Sequence, residues 1–127
     1  MRQETENWLQ LAANDYDDSL YLYQAARHPN AVYLICQAVE KLLKATITEI
    51  AQEVPPKTHH LAKLAQQSQL AIPAEQLVEL KELNRHYRRI RYRDIAQADY
   101  NTRTKVEPIM ASAQNLYTWI LATFNNQ

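Results

Sequence analysis

Apolar residues recur at three- and four-residue steps along nearly the whole chain, the spacing that gathers side chains on one face of an α-helix. From about Thr5 to Ala26, Trp8, Leu11, Ala12, Tyr16, Ser19, Leu22 and Tyr23 form a broad inner face, which predicts a first helix. Arg27-His28-Pro29-Asn30 should break it, because proline cannot continue a helix and disfavours αR in the residue before it. A second helix is predicted from about Asn30 to Gln52. Val32, Ile35, Cys36, Val39, Leu42, Leu43, Thr46, Ile47 and Ile50 make its stripe. Gln37, Glu40, Lys41 and Lys44 fall on the other side, with Glu40 and Lys44 spaced for an i,i+4 ion pair.

Val54-Pro55-Pro56-Lys57 reads as a rigid turn. Thr58 is the expected N-cap of a short third helix, His59 to about Gln67. Pro73 suits the first position of a fourth helix, with Glu75 in its first turn. That helix continues through Leu77, Leu80, Leu83, Tyr87 and Ile90, and residues 92–103 read as a loop. Thr104-x-x-Glu107 has the capping-box pattern for a fifth helix. Its stripe is Val106, Ile109, Met110, Ala113, Leu116, Tyr117, Ile120, Leu121 and Phe124. The expected architecture is all-α: a bundle of four long helices plus one short one, forming a single domain over residues 1–127.

Composition narrows the chemistry. The chain has no glycine, which removes the glycine-rich phosphate loops and the nucleophile elbow. Cys36 is the single cysteine, so no intrachain disulfide is possible. It lies on the apolar stripe and reads as a core thiol. The N-terminal residues lack the apolar run of a signal peptide, and no stretch approaches the roughly 18 apolar residues of a membrane span, so a cytoplasmic protein is expected. Fourteen basic residues balance fourteen acidic ones, which argues against a generic nucleic-acid coat.

The charges are nonetheless segregated. Residues 83–94 carry five arginines (Arg85, Arg88, Arg89, Arg91 and Arg93) interleaved with Tyr87, Tyr92 and His86. Arginine stays protonated at any cellular pH, and its planar fork of donors matches phosphate. The competing reading is a solvated helix end whose arginines pair with the acids of the first helix. On helical spacing, Arg85, Arg88 or Arg89, and the region of Tyr92 share a face while Arg91 sits elsewhere. Not all five can serve one site. Tyr87 and Tyr92 are candidates for stacking on bases, although tyrosines at apolar steps more often pack in cores. Adjacent histidines point about 100° apart on a helix, so His59 and His60 do not make a metal site, and no other cluster has ligand spacing. No metal and no cofactor are expected. His28 and His86 have no visible partner in the sequence that would make either a general base.

Four segments in order carry a resemblance: Trp8-x3-Ala12-x2-Asp15-Tyr16, then Gln37-Ala-Val-Glu-Lys-x-x-Lys-Ala45, Thr58-His-His-Leu61, and Tyr87-x3-Arg91-Tyr92-Arg93-Asp94. Together they resemble the HEPN (higher eukaryotes and prokaryotes nucleotide-binding) family over nearly the whole chain. The resemblance implies an antiparallel helical bundle that commonly forms homodimers with a cleft between protomers. Many members are metal-independent ribonucleases in which an arginine is followed four to six residues later by a histidine. Others pair with a minimal nucleotidyltransferase in toxin–antitoxin-like systems, or bind nucleotides without catalysis. No histidine follows any arginine of this segment at that spacing, and Arg93 stands where the family usually has proline.

The resemblance therefore implies a nucleotide-, phosphate- or RNA-binding subunit without strong catalysis of its own, homodimeric and partnered by a minimal nucleotidyltransferase. Arg91, Tyr92, Arg93 and Asp94 occupy the motif region. Arg91 would contact phosphate, Asp94 would orient an arginine or pair across the dimer, and Arg88, Lys41 and Lys44 would add positive charge. Tyr100 is the expected target of modification by the partner. The alternatives are a metal-independent endoribonuclease with a non-standard motif, and a structural dimeric interaction module.

Overall fold

The computed structural model describes residues 1–92 and 98–126, all helix and connecting loop, with no strand among them. The helices are α1 (Gln3–Gln24), α2 (His28–Thr46), α3 (Leu61–Ser68), α4 (Ala74–Ile90) and α5 (Arg103–Thr123). A π-helical turn over Ile47–Ala51 extends α2, and a 3₁₀ turn over Phe124–Asn126 follows α5.

The centre is α2, which contacts α1, α3, α4 and α5. Thirteen of its residues are buried, among them Glu40 and Lys44. Part of the polar side of its stripe, at Glu40 and Lys44, is therefore covered rather than solvated, contrary to what periodicity alone suggests. Periodicity reports how one helix divides its faces, whereas a helix with several neighbours keeps little water-facing surface. The α1–α2 contact is the most extensive in the molecule. Small residues recur every seven positions on both helices, Thr5, Ala12 and Ser19 on α1 and Ala31, Ala38 and Ala45 on α2, all fully buried. Small side chains at that spacing let two helix backbones approach closely. Leu11, expected on the inner face of α1, is exposed instead, as is Leu121 at the end of α5.

Several element ends differ from expectation for local reasons. The break after α1 lies before Pro29, which sits inside the first turn of α2. Arg27 N–H donates to Leu22 O at 2.8 Å and Ala26 N–H to Tyr23 O at 3.1 Å, a Schellman closure. Ala26 takes φ 60° there, in a chain that has no glycine to offer. Gln52 and Gln69 adopt the same left-handed conformation after the π turn and after α3. The N-cap of α3 is His60 rather than Thr58, that of α4 is Pro73, and that of α5 is Thr102 rather than Thr104. Thr102 Oγ1 accepts from Lys105 N–H at 3.3 Å. Pro108 lies inside α5.

Candidate functional site

Glu40 on α2 is 5% exposed, yet its carboxylate has three donors. Tyr87 Oη on α4 donates to Oε1 at 2.6 Å, His59 Nδ1 lies 2.7 Å from the same oxygen, and Lys44 Nζ is 3.0 Å from Oε2. Burial pushes the Glu40 carboxyl upward, but the bonds from Tyr87, His59 and Lys44 outweigh it and hold the group below its usual range. Glu40 is thus a carboxylate, and an acceptor only. Burial and the Glu40 charge push the Tyr87 hydroxyl strongly upward, so it remains a donor.

This fixes the chemistry of His59. Facing an acceptor, Nδ1 must carry the hydrogen, which in the neutral ring leaves the Nε2 lone pair free on a side chain that is 57% exposed. The neighbouring ring is locked the other way. His60 Nδ1 accepts from Lys63 N–H at 3.2 Å as the cap of α3, so its neutral ring carries the hydrogen on Nε2. Thr58 Oγ1 accepts from His60 N–H, and Asn84 Oδ1 on α4 accepts from Leu61 N–H at 2.7 Å, tying the 57–60 segment to α4.

Those residues face arginines. Lys57, Thr58, His59, His60, Asn84, Arg88 and Arg91 line one cleft of about 310 Å³. The Arg91 guanidinium lies over the Tyr87 ring, 4.7 Å from its centroid. That cation–π contact places Arg91 above the ring whose hydroxyl holds Glu40. Neither Arg88 nor Arg91 has a carboxylate partner among the described residues. Lysine, two histidines and two arginines therefore converge on one concavity with no acid among its lining residues, an arrangement suited to an anion carrying several oxygens.

Arg88 and Arg91 share this cleft, although Arg91 was expected on another face. Residues three apart are neighbours on a helix surface, and Arg91, the C-cap of α4, keeps αR dihedral angles, so the two side chains fall on one side. Arg85 pairs with Glu82 at 2.7 Å and Arg89 with Asp99. None of the ion pairs among the described residues joins α1 to α4, so the arginines that are neutralised find partners near in sequence rather than in the acidic first helix. Lys41 pairs with Asp15 of α1 at 2.5 Å, and Lys44 with Glu40, its ammonium 5.4 Å over the Trp8 ring. Tyr87 is core and cannot stack on a base, whereas Tyr92 is 64% exposed. Arg93 and Asp94 fall outside the described residues. Tyr100 is 2% exposed, its hydroxyl hydrogen-bonded to His86 Nδ1 at 2.8 Å. Burial, then Arg85, lower the His86 imidazole, which favours its neutral form. Cys36 is fully buried and its thiol is pushed far upward by burial, as expected of a core thiol.

Lys57, Thr58, His59, His60 and Asn84 are the cleft residues the sequence did not offer for the site, although Thr58-His-His-Leu61 carried part of the resemblance. The signal available was Glu40, a carboxylate at a helix position that proves central, which needs a buried donor. No group of three or more metal-ligating side chains occurs among the described residues, nor any helix long and apolar enough to cross a membrane.

A family model described as HEPN domain matches residues 5–123. The fold is similar to the crystal structure of TT1696 from Thermus thermophilus, with a TM-score of 0.79 and 20% identity, covering 95% of this chain and 98% of that one. No curated protein matches the sequence.

Proposed function

The chain belongs to the HEPN domain family, and from that premise we propose that it is a nucleotide- or RNA-binding subunit that holds phosphate in the Arg88–Arg91 cleft. The observation that carries this reading is the convergence of Arg88 and Arg91, without carboxylate partners among the described residues, on Lys57, His59 and His60. The subunit acts as a homodimer beside a minimal nucleotidyltransferase, as in toxin–antitoxin-like pairs. Transfer of a nucleotidyl group to Tyr100 on this reading requires its bond to His86 to open first.

Binding of a short single-stranded RNA to the Arg88→Ala/Arg91→Ala variant tests the assignment. The slope of log affinity against log salt should fall by about 0.7 for each phosphate that the variant no longer neutralises. An unchanged affinity and slope would remove the cleft from the binding surface. Recovery of a nucleotidyltransferase with the tagged protein from its native host tests the partnership.

One observation favours a second reading, metal-independent cleavage of RNA. Adjacent histidines in the cleft have opposite tautomers fixed by Glu40 and by the α3 cap. His59 Nε2 can take the proton of a ribose 2′-hydroxyl as its oxygen attacks phosphorus. His59 then returns that proton to the departing 5′-oxygen, which His60 Nε2–H steadies by a hydrogen bond, leaving a 2′,3′-cyclic phosphate and a 5′-hydroxyl. Arg88 and Arg91 would stabilise the charge that gathers on the phosphoryl oxygens. Cleavage in EDTA that is lost in both His59→Ala and His60→Ala supports this reading; RNA left intact by the wild-type protein eliminates it.

A further inference from the structure

A second cleft, of about 500 Å³, opens beside the first, within the size range of small-molecule sites. Its walls are Trp8 from α1, Lys44 from α2, and Val54, Pro55 and Pro56 from the loop before α3. Lys57 lines both clefts. The two are also joined through the protein, because Glu40 holds His59 of the first with one oxygen and Lys44 of the second with the other.

The second cleft differs in character from the first. Its lining is largely apolar and includes a tryptophan, and Val54 stands 89% exposed at its edge. Two consecutive prolines make one wall rigid before any ligand arrives, which lowers the ordering cost of binding. The charged lining is mixed: Glu4 and Glu53 accompany Arg2, Lys44 and Lys57. An aromatic, apolar slot of this kind suits a flat, weakly charged ring rather than a second phosphate, since any base presents a π face to tryptophan.

We propose that the Trp8 cleft is the base subsite of a nucleoside polyphosphate whose phosphates lie in the arginine cleft, with Lys57 at the junction. This rests on the phosphate-binding reading above and adds the part of the ligand that the arginines do not recognise. One flat ring beside Trp8 and one anionic tail running past Lys57 to Arg91 and Arg88 account for both the shared residue and the change in lining. Glu4 and Glu53 offer acceptors at the rim for an exocyclic amino group.

The experiment uses the full chain carrying Trp119→Phe, which leaves Trp8 as the one tryptophan. ATP should change Trp8 emission saturably, and inorganic tripolyphosphate should bind with a much smaller change. Trp8→Ala, titrated by calorimetry because it removes the fluorophore, should weaken ATP about five- to a hundredfold, the factor expected for one stacked base, and leave tripolyphosphate within twofold. Because Trp8 also carries Lys44, Val54→Glu provides a second variant on an exposed residue outside the core. It should weaken ATP likewise. If tripolyphosphate binds in an arginine-dependent way but neither Trp8→Ala nor Val54→Glu alters ATP affinity, the base subsite is wrong and the phosphate cleft stands. If neither ATP nor tripolyphosphate binds, the phosphate-binding reading falls and takes the subsite with it.

Discussion

Replacing Glu40 by glutamine keeps the shape of the side chain and removes its charge, at a point where three donors converge. Tyr87, His59 and Lys44 approach at 2.6, 2.7 and 3.0 Å, and the Lys44 side chain is only 9% exposed. Hydrogen bonds to a charged group contribute about 1.5–3 kcal/mol each, but three that share one carboxylate are coupled and do not add. The larger consequence is a mostly buried ammonium left without its counter-ion, for which removal of one partner costs about 3–5 kcal/mol. The unfolding entropy of 127 residues is about 0.27 kcal/mol per kelvin. The expected fall in Tm is therefore about 11–19 °C, measured by calorimetry at neutral pH. Adding Lys44→Met to Glu40→Gln should recover part of the loss, with a coupling of at least about 1 kcal/mol in the double-mutant cycle. A Tm drop of less than about 4 °C, or a double variant no more stable than Glu40→Gln alone, would refute the reasoning. It would mean that the carboxylate merely exchanges water for protein donors at no net gain.

Three further outcomes follow from local geometry. Ala26→Gly relieves a left-handed alanine at the end of α1, which costs roughly 1–2 kcal/mol. Set against the freer unfolded chain, this should raise stability by about 0.5–1 kcal/mol and Tm by a few degrees in the same scan; no gain would show that Ala26 is not strained. Ala38→Leu forces a larger side chain into the α1–α2 contact and should cost about 1–3 kcal/mol in urea unfolding, whereas Leu11→Ala on the exposed side should stay within about 0.5 kcal/mol. For pH, the His86 imidazole is lowered in the folded protein, by burial first and then by Arg85, so the unfolded chain binds a proton that the folded one resists. Its contribution is present above the ordinary value of 6.5 and is lost as pH falls through the folded value. The urea midpoint should drop between pH 7.5 and 5.5, and His86→Gln, which can still hydrogen-bond Tyr100, should flatten that drop. Glu40, also lowered, adds its loss only below about pH 4.5.

The helices were legible because an apolar stripe at helical spacing depends only on residues one or two turns apart. The α2 stripe, the short α3 and the run of α5 from Val106 to Phe124 all follow from it. Helix ends were less legible, since a cap is chosen by which side chain reaches a free N–H. His60 outcompetes Thr58 for the start of α3, and Thr102 does so over Thr104 for α5. The arginine segment stood out as the place to look for a site, and Arg88 and Arg91 do line a cleft there. Its histidines did not, because the ribonuclease motif directs attention downstream of the arginines, and the upstream Thr58-His-His-Leu61 segment, though part of the resemblance, read only as a helix start.

The sequence by itself determined an all-helical chain, a core thiol at Cys36 and an arginine-rich end to the fourth helix, all properties of neighbours along the chain. Only the tertiary structure decided that Glu40 is buried, that it reaches Tyr87 across 47 positions and His59 across 19, and that two arginines face two histidines of opposite tautomer. The physical reason is that a charge can be buried only where its partners are brought by other helices, and no periodicity within a single helix records which helices will surround it.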